Sequence, residues 1–245
     1  MEVHHHAQTP RQKWTHYFWE FFMLFLAVTL GFFVENQREH FIEHQREKQY
    51  MVSLVEDLET DTAELKKGII STDSTNNYTD SVLFFLSSLK ITDQIPARFA
   101  ILMRIAGQRL SLINTDRTSS QLKNSGAMRL IRNKKVVDAI LRYWNQIEKT
   151  NITLERYLVY RNAGRELSFK LFMWSEVYRR LDPVKKDTIR FLKVIDKDPK
   201  KWDELMNIIG GSGLIVSGGH INNLKKQLEL AIKLIDLIKK EYHRK

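Results

Sequence analysis

Glu20 is the residue whose position asks for a chemical explanation. It stands in the run YFWEFFMLFLAVTLGFFVENQREH, residues 17–40, just ahead of an uncharged stretch covering residues 21–34. A carboxylate placed in hydrocarbon must take a proton, find a partner or reach water. Steps of helical spacing from Glu20 reach Leu24, Ala27 and Gly31 on one stripe. Ala27 and Gly31 form a small-xxx-small pair, which lets a second helix approach closely in lipid. The stripe reads as a self-association face with Glu20 at its rim. Because Glu20 lies near one end of the apolar run, snorkelling to the headgroups is the simpler reading and ranks ahead of helix–helix contact.

Two other places have residue types that could do chemistry. His40 and His44 are four apart, a spacing that can present two imidazoles to a metal on one helix face. No surrounding metalloenzyme pattern accompanies them, so a solvated, pH-sensitive pair is the preferred reading and the two remain weak metal candidates. The glycine-rich stretch GGSGLIVSGG, residues 210–219, invites comparison with a phosphate cradle. A P-loop would end in Gly-Lys-Ser/Thr, whereas His220 follows Gly219, and residues 202–209 read as a helix rather than the strand a dinucleotide site requires. A flexible helix–helix connection is expected there. No nucleophile elbow, acid pair or metal motif stands out, and the absence of cysteine excludes thiolate chemistry and disulfides. The expectation is a protein that is not an enzyme, with no catalytic residues and no cofactor.

The element that positions Glu20 is a membrane helix over residues 14–34. Twenty-one residues rising about 1.5 Å each span about 31 Å, the thickness of a bilayer's hydrocarbon core. Trp14, Tyr17 and Trp19 gather at one end as an interfacial aromatic belt. No small-residue cleavage site follows the run, which argues against a removed signal peptide. Topology is pulled two ways. Arg11 and Lys13 flank one end and Arg38, Arg46 and Lys48 the other, a count favouring a cytoplasmic downstream domain. The short tail before the helix resembles a signal anchor, which would export that domain, and export is the expectation taken.

Beyond the span, residues 35–68 contain no Pro and reach their first Gly at Gly68, so they are expected to prolong the helix into solvent as a charged juxtamembrane segment. Glu35, Glu39, Glu43 and Glu47 recur every four residues among Arg38, Arg46 and Lys48, a solvated, helix-supporting pattern. Met51, Leu54, Val55, Leu58 and Leu65 follow as an apolar stripe. Residues 69–245 read as a helical soluble domain. It has apolar helical stretches over 79–113 broken near 93–96, a short helix ended by Gly126, and one long or lightly kinked helical region over 134–181 whose aromatics are core. The last helix has a heptad seam through Ile221, Leu224, Leu228, Ala231, Ile235, Ile238 and Tyr242. With only 4 Pro and 10 Gly in 245 residues, the expected fold is all-α: one N-terminal transmembrane helix, preceded by a polar tail at 1–13, continuing into a mostly antiparallel helical bundle.

The formal net charge is +10. Residues 1–34 balance Arg11 and Lys13 against Glu2 and Glu20, so the excess lies downstream. It includes local clusters at Arg129, Arg132, Lys134 and Lys135 and at Arg179, Arg180, Lys185 and Lys186. Anionic partners are favoured in general terms. Nucleic acid is disfavoured, because no binding module accompanies the charge and the anchor points to a bilayer.

The stretch from His4 to Thr62 resembles the N-terminal signature of a single-pass membrane-protein family of unknown function widespread in Bacteroidetes. The residues carrying the resemblance are Glu20, Met23, Phe25, Leu26, Ala27, Val28, Gly31 and Phe32, followed by Arg38-Glu39-His40, Arg46-Glu47-Lys48 and Tyr50. SSQLKNSGAMRLIRNKKVVDAILRYW, residues 119–144, is similar to a second segment of the family. The resemblance implies an anchored, helical protein of the bacterial inner membrane and supplies no chemistry. Expected partners are the lipid bilayer and a second copy of the chain or another envelope membrane protein. The expected role is an interaction or scaffold subunit of an envelope assembly. The alternative is an ion- or proton-coupled channel or force-transducing subunit that uses Glu20.

Overall fold

The computed structural model describes residues 14–108, 110, 114–181 and 190–242, apart from the side chains of residues 179–181. The tail at 1–13 with Arg11 and Lys13 lies outside the described residues. So do Lys185, Lys186 and the side chains of Arg179 and Arg180. The chain divides into two units, Met1–Tyr50 and Met51–Lys245. The first helix, α1 (Trp14–Ser88), contributes to both.

Within Met1–Tyr50 the described residues are all part of α1. Residues 14–41 are exposed, with Leu26 alone half-buried, although residues 21–34 are almost wholly apolar. The expected charged ladder begins with Arg38, whose guanidinium donates to both carboxylate oxygens of Glu35 at 2.5 and 2.9 Å. That pairing holds the Glu35 carboxyl below its ordinary range.

Within Met51–Lys245, α1 does not stop at Gly68 but runs to Ser88. One glycine costs a helix roughly 1 kcal/mol, which neighbouring turns offset when no proline follows. Serines and threonines in this stretch turn their hydroxyls back onto the helix: Thr79 donates to the Thr75 carbonyl and Ser81 to that of Asn77. The stripe Met51, Leu54, Val55, Leu58 and Leu65 is buried as expected, and Val82 and Leu86 extend it.

The break expected near residues 93–96 contains a strand, β1 (Gln94–Pro96), followed directly by α2 (Ala97–Ala106). β1 pairs antiparallel with β2 (Phe191–Lys193), and Ile95 lies opposite Leu192. Next come α3 (Arg117–Asn124) and a 3-10 turn, Ala127–Leu130, separated by Gly126 in the left-handed region at φ 67°. The long or lightly kinked helical region expected over 134–181 is two helices, α4 (Lys134–Leu171) and α5 (Trp174–Leu181). The chain leaves the helix at Phe172, whose extended backbone bridges Val194 beside the small sheet while its ring enters the core. That core gathers Phe99, Phe172, Trp202, Leu171, Leu192 and Leu205.

The glycine-rich stretch is the clearest departure. In place of the flexible connection its composition predicts, the stretch is helical. α6 (Pro199–Ile215) passes through a π turn, Val216–His220, straight into α7 (Ile221–Tyr242). Packing explains it. A Cβ on Gly211 would meet the Tyr160 ring at 2.6 Å, and one on Gly213 would meet Thr79 Cγ2 at 3.1 Å. Gly211 and Gly213 serve close helix approach rather than turning. Paired positions show α6 and α7 running antiparallel to α4: Asn133 donates to Glu241, Gln146 to Asn223, and Gly164 lies against Ile208.

Candidate functional site

Helical geometry gives the 14–34 segment two unlike sides. Glu20, Leu24, Ala27 and Gly31 are all exposed on one stripe, and a Cβ on Gly31 would have nothing within 4 Å. At 100° per residue, Trp14, Phe18, Phe22 and Phe25 fall within about 60° of the opposite side. There the rings stack in sequence, Trp14 on Phe18 at 6.1 Å and Phe18 on Phe22 at 6.3 Å. Of the belt residues, Trp14 is 80% exposed, Trp19 60% and Tyr17 56%. The segment is long and apolar enough to cross a bilayer, and none of its most apolar window is buried.

His40 and His44 each approach a glutamate one turn along. His40 Nδ1 lies 3.8 Å from Glu43, and His44 Nδ1 lies 3.2 Å from Glu47. Among the described residues no group of three or more His, Asp or Glu side chains is placed to hold a metal.

The heptad seam of α7 is partly displaced. Ile221, Leu224, Ala231, Ile235 and Ile238 are buried, while Leu228 and Tyr242 are half-buried. Gln227 and Leu234, which the expected seam omits, are buried. The buried line therefore runs 224, 227, 231, 234, 238, and its fully buried glutamine donates to Asn114 Oδ1 at 2.8 Å.

The sequence reading missed a buried acid pair on α1. Asp57 accepts from Arg117 Nη2 at 2.8 Å and from the Thr118 amide at 2.9 Å, which serves an otherwise unpaired donor in the first turn of α3. Asp61, one turn on, accepts from the Thr115 amide and the Tyr143 hydroxyl, both at 2.7 Å. Burial, reinforced by the negative charge of Asp61, pushes the Tyr143 hydroxyl far above its ordinary range and keeps it a donor. No spacing in the sequence points to these contacts, whose partners lie 54 to 82 residues away. Every oxygen of the pair is engaged, so the arrangement joins α1, α3 and α4 rather than offering a reactive group.

His220, in the π turn, is buried with its Nδ1 3.0 Å from Thr153 Oγ1. Burial pulls its imidazole below the ordinary range. Below about pH 6.5 the unfolded chain takes a proton that the native chain refuses, so this contribution is present at neutral pH and lost as pH falls. Replacing His220 with Gln is expected to flatten the fall in stability between about pH 7.5 and 5.5, by at most about 1.4 kcal/mol per pH unit. Denaturant titrations at both pH values check this, and equal slopes in the two proteins would count against it.

No family model, no curated protein and no solved structure matches the chain.

Proposed function

We propose that the chain is a single-pass protein of the bacterial inner membrane, with residues 14–34 crossing the bilayer and Met51–Lys245 exported to the periplasm. It self-associates through the stripe of Glu20, Leu24, Ala27 and Gly31 and acts without catalysis, as an interaction or scaffold subunit of an envelope assembly. The observation that supports this is a span-length apolar helix whose side chains the fold leaves uncovered. Leaving so much apolar surface in water is strongly unfavourable, and lipid or another helix relieves it. The two-sided helix supports the second part, because an aromatic side suits lipid while a small-residue side permits backbone approach. The resemblance to a family of single-pass proteins points the same way.

Two measurements test the proposal. The full chain should stay with membranes through an alkaline wash, and its release would sink the transmembrane reading. In lipid nanodiscs, Gly31→Leu should lower the number of copies per particle, whereas an unchanged number would remove the stripe from the association surface. Glu20→Gln addresses the alternative role: an intact assembly that has lost an ion-dependent activity would replace scaffolding with transduction.

A further inference from the structure

A cavity of about 400 Å³ lies within Met51–Lys245, where α2, α4 and α6 meet beside α5. Its charged lining is wholly cationic: Arg104 from α2 and Arg161 and Arg165 from α4, with no aspartate or glutamate among the described lining residues. Tyr160, Phe169 and Trp174 supply aromatic walls. The volume falls within the range of sites that hold small organic ligands.

The polar groups divide into those already engaged and those still available. Tyr157 donates to the Gln108 carbonyl at 2.8 Å, and Gln108 Nε2 donates to Thr75 at 3.0 Å. Ser168 donates to the Arg165 carbonyl while accepting from Trp174 Nε1, and Ser212 donates to the Ile209 carbonyl. The guanidiniums differ. Arg161 uses Nε on the Gly107 carbonyl at 2.7 Å and Nη1 on Asn162, both neutral oxygens. Arg165 lies over the Phe169 ring at 5.5 Å, a cation–π contact, and its guanidinium donates no hydrogen bond among the described residues, which leaves its donors for a planar or tetrahedral anion. None of the three arginines forms an ion pair with a carboxylate among the described residues. Arg104 and Arg165 are exposed and Arg161 is half-buried, so the lining offers an entering anion positive charge and guanidinium donors with no carboxylate among the described lining residues to compete for them.

We infer that this cavity binds a small soluble organic anion, with a carboxylate or phosphate held by Arg104, Arg161 and Arg165 and a flat apolar body set among Tyr160, Phe169 and Trp174. The site is independent of the membrane reading, since it lies wholly within the downstream unit. Aromatic walls in a cavity of this size suit a compact ring better than a lipid chain.

The test is calorimetric titration of the full chain in phosphatidylcholine nanodiscs with 1-naphthyl phosphate, inorganic phosphate and 1-naphthol. One saturable site per chain is expected for 1-naphthyl phosphate, about tenfold or more tighter than for inorganic phosphate or 1-naphthol. The double variant Arg104→Gln/Arg165→Gln should weaken it about tenfold or more, with thermal melting unchanged because neither side chain supports the fold through a described hydrogen bond. Lys225→Gln, an exposed charge on α7, should leave binding as it was. No saturable binding, equal binding of 1-naphthol, or an equal loss in Lys225→Gln would overturn the proposal. Loss of probe binding only in phosphatidylglycerol nanodiscs would assign the cavity to a lipid headgroup and overturn the soluble ligand.

Discussion

Replacing Phe99 with Ala lowers the folding stability of the downstream unit by about 3–5 kcal/mol. Phe99 is fully buried at the start of α2 and is the ring on which the separate parts of the core meet. It stacks on Phe85 of α1 at 4.9 Å, meets Phe172 edge-on at 5.7 Å and approaches Trp202 of α6 at 6.3 Å. Removing it takes apolar surface out of contact and leaves a space that three anchored rings cannot readily fill. Phe99→Leu keeps much of the volume but loses the ring geometry, and a smaller cost of about 1–2 kcal/mol is expected. Denaturant unfolding followed by tryptophan fluorescence reads both, since Trp174 and Trp202 lie in or beside this core. A loss under about 1 kcal/mol for the alanine variant would mean that Phe99 does not join these elements as its contacts indicate.

Asp61→Ala is expected to cost about 2–5 kcal/mol, because it strands two donors at once. The Thr115 amide and the Tyr143 hydroxyl each give their hydrogen bond to this carboxylate, and Tyr143 is buried. Most of the loss is the desolvation of donors left without an acceptor, so removing the partner as well should recover part of it. Asp61→Ala combined with Tyr143→Phe should be more stable than the sum of the single losses by about 1–3 kcal/mol. Strict additivity in that cycle would show that Asp61 and Tyr143 act separately. The cycle also distinguishes an architectural carboxylate from a functional one: a structural pair regains stability when both members go, whereas a reactive group gains nothing from losing its neighbour.

Local pattern made some of this molecule legible. The apolar segment at 14–34, the stripe from Met51 to Leu65 and most of the α7 seam follow from periodicity, which depends only on near neighbours. The break near 93–96 and the helix ended by Gly126 follow from turn chemistry. What escaped depends on residues distant in sequence. Gly211 and Gly213 look like breakers until Tyr160 and Thr79 are seen pressed against the same backbone. Phe172 ends α4 because it pairs with Val194, 22 residues on (194 − 172), and not because of any residue type at the break. Asp57 and Asp61 carry no local pattern that marks them as buried, since their partners are far along the chain. The three arginines come from two helices, so no spacing in the sequence brings them together.

The π turn has a consequence for how the two halves of the last helix keep step. Along α6 and into the turn, Trp202, Ile209 and Val216 are buried at intervals of seven, and along α7 the same interval joins Leu224, Ala231 and Ile238. Between Val216 and Leu224 the interval is eight (224 − 216). The wider hydrogen-bonded ring of a π turn takes up one added residue without opening a loop, so both halves keep a buried line although their repeats are out of phase. A heptad carried backwards from α7 therefore lands one residue off throughout α6. The supernumerary position falls among Gly218, Gly219 and their neighbours, where a helix most easily admits a change of winding.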